Sequence, residues 1–64
     1  MSLSPSSKFI LYLLKQKGSL KLKDILDKTL LPKRTVAYSL KKLLDERLVK
    51  KFIDDKLSNW HLKI

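Results

Sequence analysis

Cysteine is absent from the 64-residue chain; glycine, histidine and tryptophan occur once each, and proline twice. Without cysteine there is neither a disulfide framework nor a thiolate metal site. With Gly18 alone, no glycine-rich loop can cradle a phosphate. His61 has no second histidine or cysteine to complete a metal site or a nucleophilic dyad, and it reads as an exposed strand residue. Asp54-Asp55 reads as a turn pair and Asp45-Glu46 as a helix-end pair, not as buried acid–base couples. No catalytic residue, metal or cofactor is expected, and the chain does not read as an enzyme. Long apolar runs are missing too, since nothing approaches the roughly 20 residues that span a bilayer. Phe9-Ile10-Leu11-Tyr12-Leu13-Leu14 has the length of a signal-peptide core, but Lys15-Gln16-Lys17 follows it instead of small residues suited to cleavage. A cytoplasmic location and no membrane partner are expected. Gln16 and Asn59 are each the only residue of their type, a composition that points to a heat-adapted source.

Acidic residues are also scarce. Six Asp and Glu face fifteen Lys and Arg, giving a net charge of +9 and a pI near 10.1. That exceeds the magnitude of about 2 to 8 that keeps a small domain soluble. The excess favours polyanionic partners: DNA, RNA or an acidic membrane surface. The hydrophobic share of 44% is too high for a disordered chain. A single domain spanning residues 1–64 is expected. A domain of this size buries only about 60% of its unfolded surface, so its stability is marginal unless a second subunit adds buried area.

Periodicity sets the element order. Ser4 reads as an N-cap and Pro5 as the first helical residue; Gly18 ends that helix, after Lys15 and Lys17. Phe9, Ile10, Leu13 and Leu14 share one face, with Leu11 and Tyr12 outside it. Ser19-Leu20-Lys21 suits a minimal strand. A short second helix carries Leu22, Ile25 and Leu26. It must stop before Pro32, whose ring drives Leu31 out of helical geometry. A third helix runs from Pro32 to about Glu46, with Val36, Leu40, Leu43 and Leu44 on its buried stripe. Beyond Arg47 the period becomes two: residues 48–53 form a strand, 54–58 a turn, and Trp60, Leu62 and Ile64 alternate along a second strand. Phe52 and Ile53 are adjacent, which leaves the buried face of the first strand open. The prediction is helices at 5–17, 22–29 and 32–46 and a hairpin at 48–64. The expected core is Phe9, Ile10, Leu13, Leu22, Ile25, Leu26, Val36, Leu40, Leu43, Leu48 and Leu62. The fold class is α+β, mainly α: a three-helix winged helix-turn-helix with a C-terminal β-hairpin wing.

The run Leu31-Pro32-Lys33-Arg34-Thr35-Val36-Ala37-Tyr38-Ser39-Leu40-Lys41-Lys42-Leu43, followed by Leu48-Val49, resembles the recognition helix and first wing strand of MarR- and ArsR-type regulators. Upstream, Ser19-Leu20-Lys21-Leu22-Lys23-Asp24-Ile25-Leu26 is similar to their first strand and the start of their second helix. The resemblance covers about residues 6 to 64. It implies a dimer on a pseudo-palindromic operator, with the recognition helix in the major groove and the wing on the adjacent minor groove or backbone. It is specific for the fold and poor for the biological target. Three departures shape the expectations. The family has glycine near positions 30 and 47, where this chain has Leu30 and Arg47, so its helix ends are expected to be built differently. The wing tip Asp54-Asp55-Lys56 is short and holds one base, so no deep minor-groove contact is expected. The chain is also expected to lack the extra dimerisation helices and the ligand pocket of larger members.

The expected DNA-binding residues are Lys33, Arg34, Thr35, Tyr38, Lys41 and Lys42 on the third helix, with Lys51 and Lys56 on the wing. Arg34 suits a bidentate pair with guanine, Thr35 a base or thymine methyl, Tyr38 a base or phosphate, and Lys41 and Lys42 phosphates. Leu11 and Tyr12, surplus to the buried stripe, are expected at a homodimer interface. The leading expectation is a sequence-specific double-stranded DNA binder acting as a transcription repressor, with no small-molecule effector evident. The alternatives are a non-specific DNA or RNA binder and a winged-helix protein-interaction module within a larger assembly. A membrane-surface peptide suits only the first helix.

Overall fold

The structure is a computed structural model that describes residues 3–54 and 57–63. The chain runs α1 (Pro5–Lys17), β1 (Ser19–Lys21), α2 (Leu22–Thr29), α3 (Lys33–Asp45), β2 (Val49–Asp54) and β3 (Leu57–Leu62). The three strands form one antiparallel sheet in the order β1-β3-β2. This is the winged helix-turn-helix that the sequence predicts, with each helix boundary within one residue of its expected place. Among the described residues, no helix is long and apolar enough to cross a membrane.

Local chemistry explains α1. Ser4 is extended (φ −64°, ψ 159°), and its Oγ accepts the Ser7 N–H at 3.2 Å, so one of the helix's orphan donors is satisfied. Pro5 occupies the first turn, where its missing N–H costs nothing. Gly18 closes the helix at φ 83°, its N–H donating to the Leu14 carbonyl at 2.7 Å. The third helix starts one residue later than expected. Pro32 is its N-cap rather than its first residue, and the Pro32 carbonyl accepts the Val36 N–H at 3.1 Å.

The buried core is Ile10, Leu14, Leu20, Ile25, Val36, Leu40, Leu43, Val49 and Trp60, with Leu13, Leu22, Leu26, Leu44 and Leu48 packed against its edge. Phe9 is a correction: it is 42% exposed. The inward stripe of α1 runs through Ser7, Ile10 and Leu14, and Phe9 sits about 100° round the helix from Ile10. Ser7 and Ser39 are fully buried. Ser7 Oγ accepts from Ser4 Oγ at 3.0 Å, and Ser39 Oγ lies 2.8 Å from Ser6 Oγ, a hydroxyl pair that ties α1 to α3. Leu62, expected in the core, is only half-buried.

Strand pairing resolves the Phe52–Ile53 ambiguity. Directly paired residues share a face. Val49, Lys51 and Ile53 therefore lie with Leu62, Trp60 and Ser58, while Lys50 and Phe52 lie with His61 and Asn59. Only Val49 on β2 reaches the core; Phe52, on the outward face with His61, is 51% exposed, and Ile53, on the Val49 face, is 72% exposed. The second wing strand begins at Leu57, inside the segment expected as a turn. Asp55, Lys56 and Ile64 lie outside the described residues.

The helix ends overturn a second expectation. Leu30 (φ 58°) and Arg47 (φ 60°) both adopt the left-handed conformation that glycine would take. The ends are thus built as glycine would build them, with side chains strained to fit, at roughly 1–2 kcal/mol each. Neighbouring groups brace both turns. Thr29 Oγ1 donates to the Ile25 carbonyl at 2.8 Å and accepts the Leu31 N–H at 3.3 Å. The Leu48 N–H donates to the Leu43 carbonyl at 3.0 Å.

Candidate nucleic-acid interface

Burying Val36, Leu40 and Leu43 fixes which way α3 faces. Arg34, Tyr38 and Lys41, spaced i, i+4 and i+7, fall on the opposite side, and all three are exposed. Tyr38 is 67% exposed, so a large aromatic side chain stands in solvent on a cationic helix face. Lys33 is exposed beside them at the helix start, and Thr35 is half-buried on the flank. No acid interrupts this surface before Asp45.

Two of the expected cations are less free than the sequence implies. Lys42 Nζ lies 3.9 Å from Glu46 Oε2, an i,i+4 pair whose side chains are 40% and 18% exposed. Such pairs contribute about 0–1 kcal/mol, so a phosphate can displace the carboxylate. Lys51 is on the inner sheet face, its Nζ 5.5 Å from the centroid of the Trp60 ring. Lys56 lies outside the described residues.

The expected interface pair on α1 separates. Leu11 is partly buried and packs against the core. Tyr12 is 57% exposed, and its apolar companion on the outer face is Phe9, which the sequence reading had placed inside. His61 is half-buried rather than exposed, meeting Phe52 edge-on with 4.9 Å between ring centroids. No three metal-ligating side chains come together among the described residues.

One polar group has no partner. Trp60 is 6% exposed, and its Nε1 is the only buried side-chain polar atom among the described residues without a hydrogen-bond partner. An unmade donor of this kind costs about 1–3 kcal/mol. Trp60 lines a cavity of about 320 Å³ between α3 and the wing, together with Leu22, Ala37, Leu40, Lys41, Leu44, Lys51 and Ser58. Nothing in the sequence marked this donor, since strand periodicity does not say whether an indole N–H finds a partner.

Residues 5–51, from the start of α1 into β2, match the family described as bacterial regulatory protein, ArsR family. The chain belongs to the ArsR family. That family is one of transcription regulators, not of enzymes, and this chain is a DNA-binding domain of that kind. No curated protein sequence matches it. Its fold is shared by the YusO protein from Bacillus subtilis, with a TM-score of 0.84 and 24% identity over 94% of this chain. It is shared equally by BpsR of Bordetella bronchiseptica, with a TM-score of 0.86 and 20% identity over 95% of this chain. The structure of BpsR is described as a mechanism for regulation of its DNA binding by 6-hydroxynicotinic acid. The chain covers 45% and 44% of those two proteins, less than half of either.

Proposed function

We propose that this ArsR-family domain binds double-stranded DNA sequence-specifically and represses transcription by occupying promoter DNA in the cytoplasm. The observation that carries the reading is the outward stripe Arg34–Tyr38–Lys41 on α3, opposite the buried Val36–Leu40–Leu43. With α3 in the major groove, Arg34 in its first turn reaches base edges, and Lys41 and Lys42 meet phosphates. Lys33, Thr35 and Tyr38 complete that face, and Lys51 and Lys56 bring the wing to the backbone.

The domain acts as a homodimer. Phe9 and Tyr12 leave an apolar face on α1 that a second copy would cover, in place of the Leu11–Tyr12 pair read from the sequence. Sedimentation at micromolar concentration should give twice the 7.5 kDa chain mass. A monomer both free and on DNA excludes this arrangement.

The test of the central reading is the binding profile across a random DNA library at physiological salt. A discrete preferred site supports a sequence-specific regulator. A flat profile with a steep salt dependence makes the domain a non-specific coat.

A further inference from the structure

The sheet leaves one long edge open. β3 lies between β1 and β2, and β1 spans only Ser19–Lys21, so β2 (Val49–Asp54) carries the long free edge. The phase of the ladder fixes which groups that edge presents. The Lys63 N–H donates to the Leu48 carbonyl at 3.0 Å, and the pairing Val49↔Leu62 continues the same register. Bonded and non-bonded pairs alternate along an antiparallel ladder. Lys50 and Phe52 therefore turn their backbone groups toward β3, while Lys51 and Ile53 turn theirs to the open side. The Leu62 N–H agrees, since it donates to the Gly18 carbonyl on the β1 side. Lys50, Lys51, Phe52 and Ile53 are all exposed. We propose that this edge pairs with the same edge of a second copy of the chain, antiparallel and centred on Phe52.

Charge and shape select both the occupant and the register. A two-fold axis normal to the sheet keeps each face continuous across the contact, so residues meet others of their own face. Centred on Phe52, the pairing sets Phe52 against Phe52 and Lys50 against Asp54 on one face. On the other face it sets Lys51 against Ile53, whose exposed apolar surface the lysine stem covers. The backbone fits the same register. Lys51 and Ile53 become a bonded pair, each N–H donating to the other residue's carbonyl in the second copy. Phe52 falls at a non-bonded position, where opposed side chains approach most closely. The smallest slip that preserves the faces brings Lys51 against Lys51 or Phe52 against Asp54, so the neighbouring registers are poorer. Lysines on a free edge ordinarily discourage pairing. Here each Lys50 meets an aspartate instead of another lysine. So short a strand buries less than the roughly 1,200 Å² of a standard interface, and the contact is weak, with a Kd on the order of 0.1–1 mM.

The contact rests neither on the DNA-binding reading nor on the α1 dimer, so its test uses the free, full chain. Isotope-labelled protein is diluted from about 1 mM to about 10 µM, a range that brackets the expected Kd, while the backbone amide resonances are followed. The Lys51 and Ile53 amides should move together with concentration. Lys50→Asp and Asp54→Lys should each weaken the association about tenfold or more, because each sets like charges opposite one another. The two changes move the net charge in opposite directions, so a shared loss is not a net-charge effect. In an equimolar mixture each variant finds the opposite charge on the other at both positions, and association should recover to within about threefold of the unaltered chain. Ile53→Pro removes an open-side donor and leaves the β2–β3 ladder bonds intact; it should abolish the shifts. Lys28→Asp, on α2, should leave them unchanged. Amides that ignore concentration overturn the proposal, as does a mixture of the two charge variants that fails to recover. Tyr12→Ala should leave the β2 shifts in place; their loss would assign them to association through α1 and overturn the wing contact.

Discussion

The first helix and the helix-turn-helix unit all end their helices at a positive φ but with different residues. At the end of α1 the left-handed position holds Gly18, with nothing within 4 Å of where a Cβ would sit. After α2 and α3 it holds Leu30 and Arg47. At its start α1 has a serine cap, whereas the first residues of α2 and α3 follow Lys21 and Pro32, which supply no side-chain cap bond. The scaffold helix is thus locally relaxed, and the pair proposed to meet DNA is held by tertiary packing against local preference. Strain concentrated beside a binding surface is a recurrent pattern in proteins.

The largest effect that sharpens this contrast is in the core under α1. Ile10→Ala removes a fully buried side chain and should destabilise the domain by about 2–5 kcal/mol, read from denaturant midpoints. Phe9→Ala on the same helix should cost far less in the monomer. If the two lose equally, the assigned facing of α1 is wrong.

A paired substitution compares the caps directly, with opposite signs. Gly18→Ala should destabilise by about 1 kcal/mol, because the added Cβ meets no neighbour and only the left-handed strain remains. Leu30→Gly should stabilise by about 0.5–1 kcal/mol: relief of strain outweighs the added unfolded-state entropy, and an 86% exposed leucine gives up little packing. Thermal melts of both variants check this. Destabilisation by Leu30→Gly would mean that its side chain supports the fold.

The same contrast decides what the sequence made legible. Element order and helix limits were readable because Ser4-Pro5, Gly18 and Pro32 are strong local signals and the α3 stripe has clean helical spacing. The facing of α1 was not, because its inward stripe starts with Ser7, a polar residue made tolerable in the core by the Ser4 hydroxyl. The left-handed Leu30 and Arg47 ran against propensity, so tertiary contacts outweighed the local rule there. Of the proposed binding surface, the shared exposed face of Arg34, Tyr38 and Lys41 followed from periodicity alone. The Lys42–Glu46 pair, the Lys51–Trp60 contact and the cavity beside Trp60 arise from strand register and helix packing, which composition does not encode.

The regulator reading is tested most directly by comparing Arg34→Ala and Lys42→Ala on the preferred duplex and on random DNA. Arg34 stands in the first turn of α3, and Lys42 lies two turns on, beside Glu46. Arg34→Ala should cost about 1–3 kcal/mol on the preferred duplex and little on random DNA. Lys42→Ala should weaken both by similar factors and lower the salt slope by about one unit. If both substitutions lower specific and random binding alike, α3 does not read sequence, and the protein is a non-specific DNA coat.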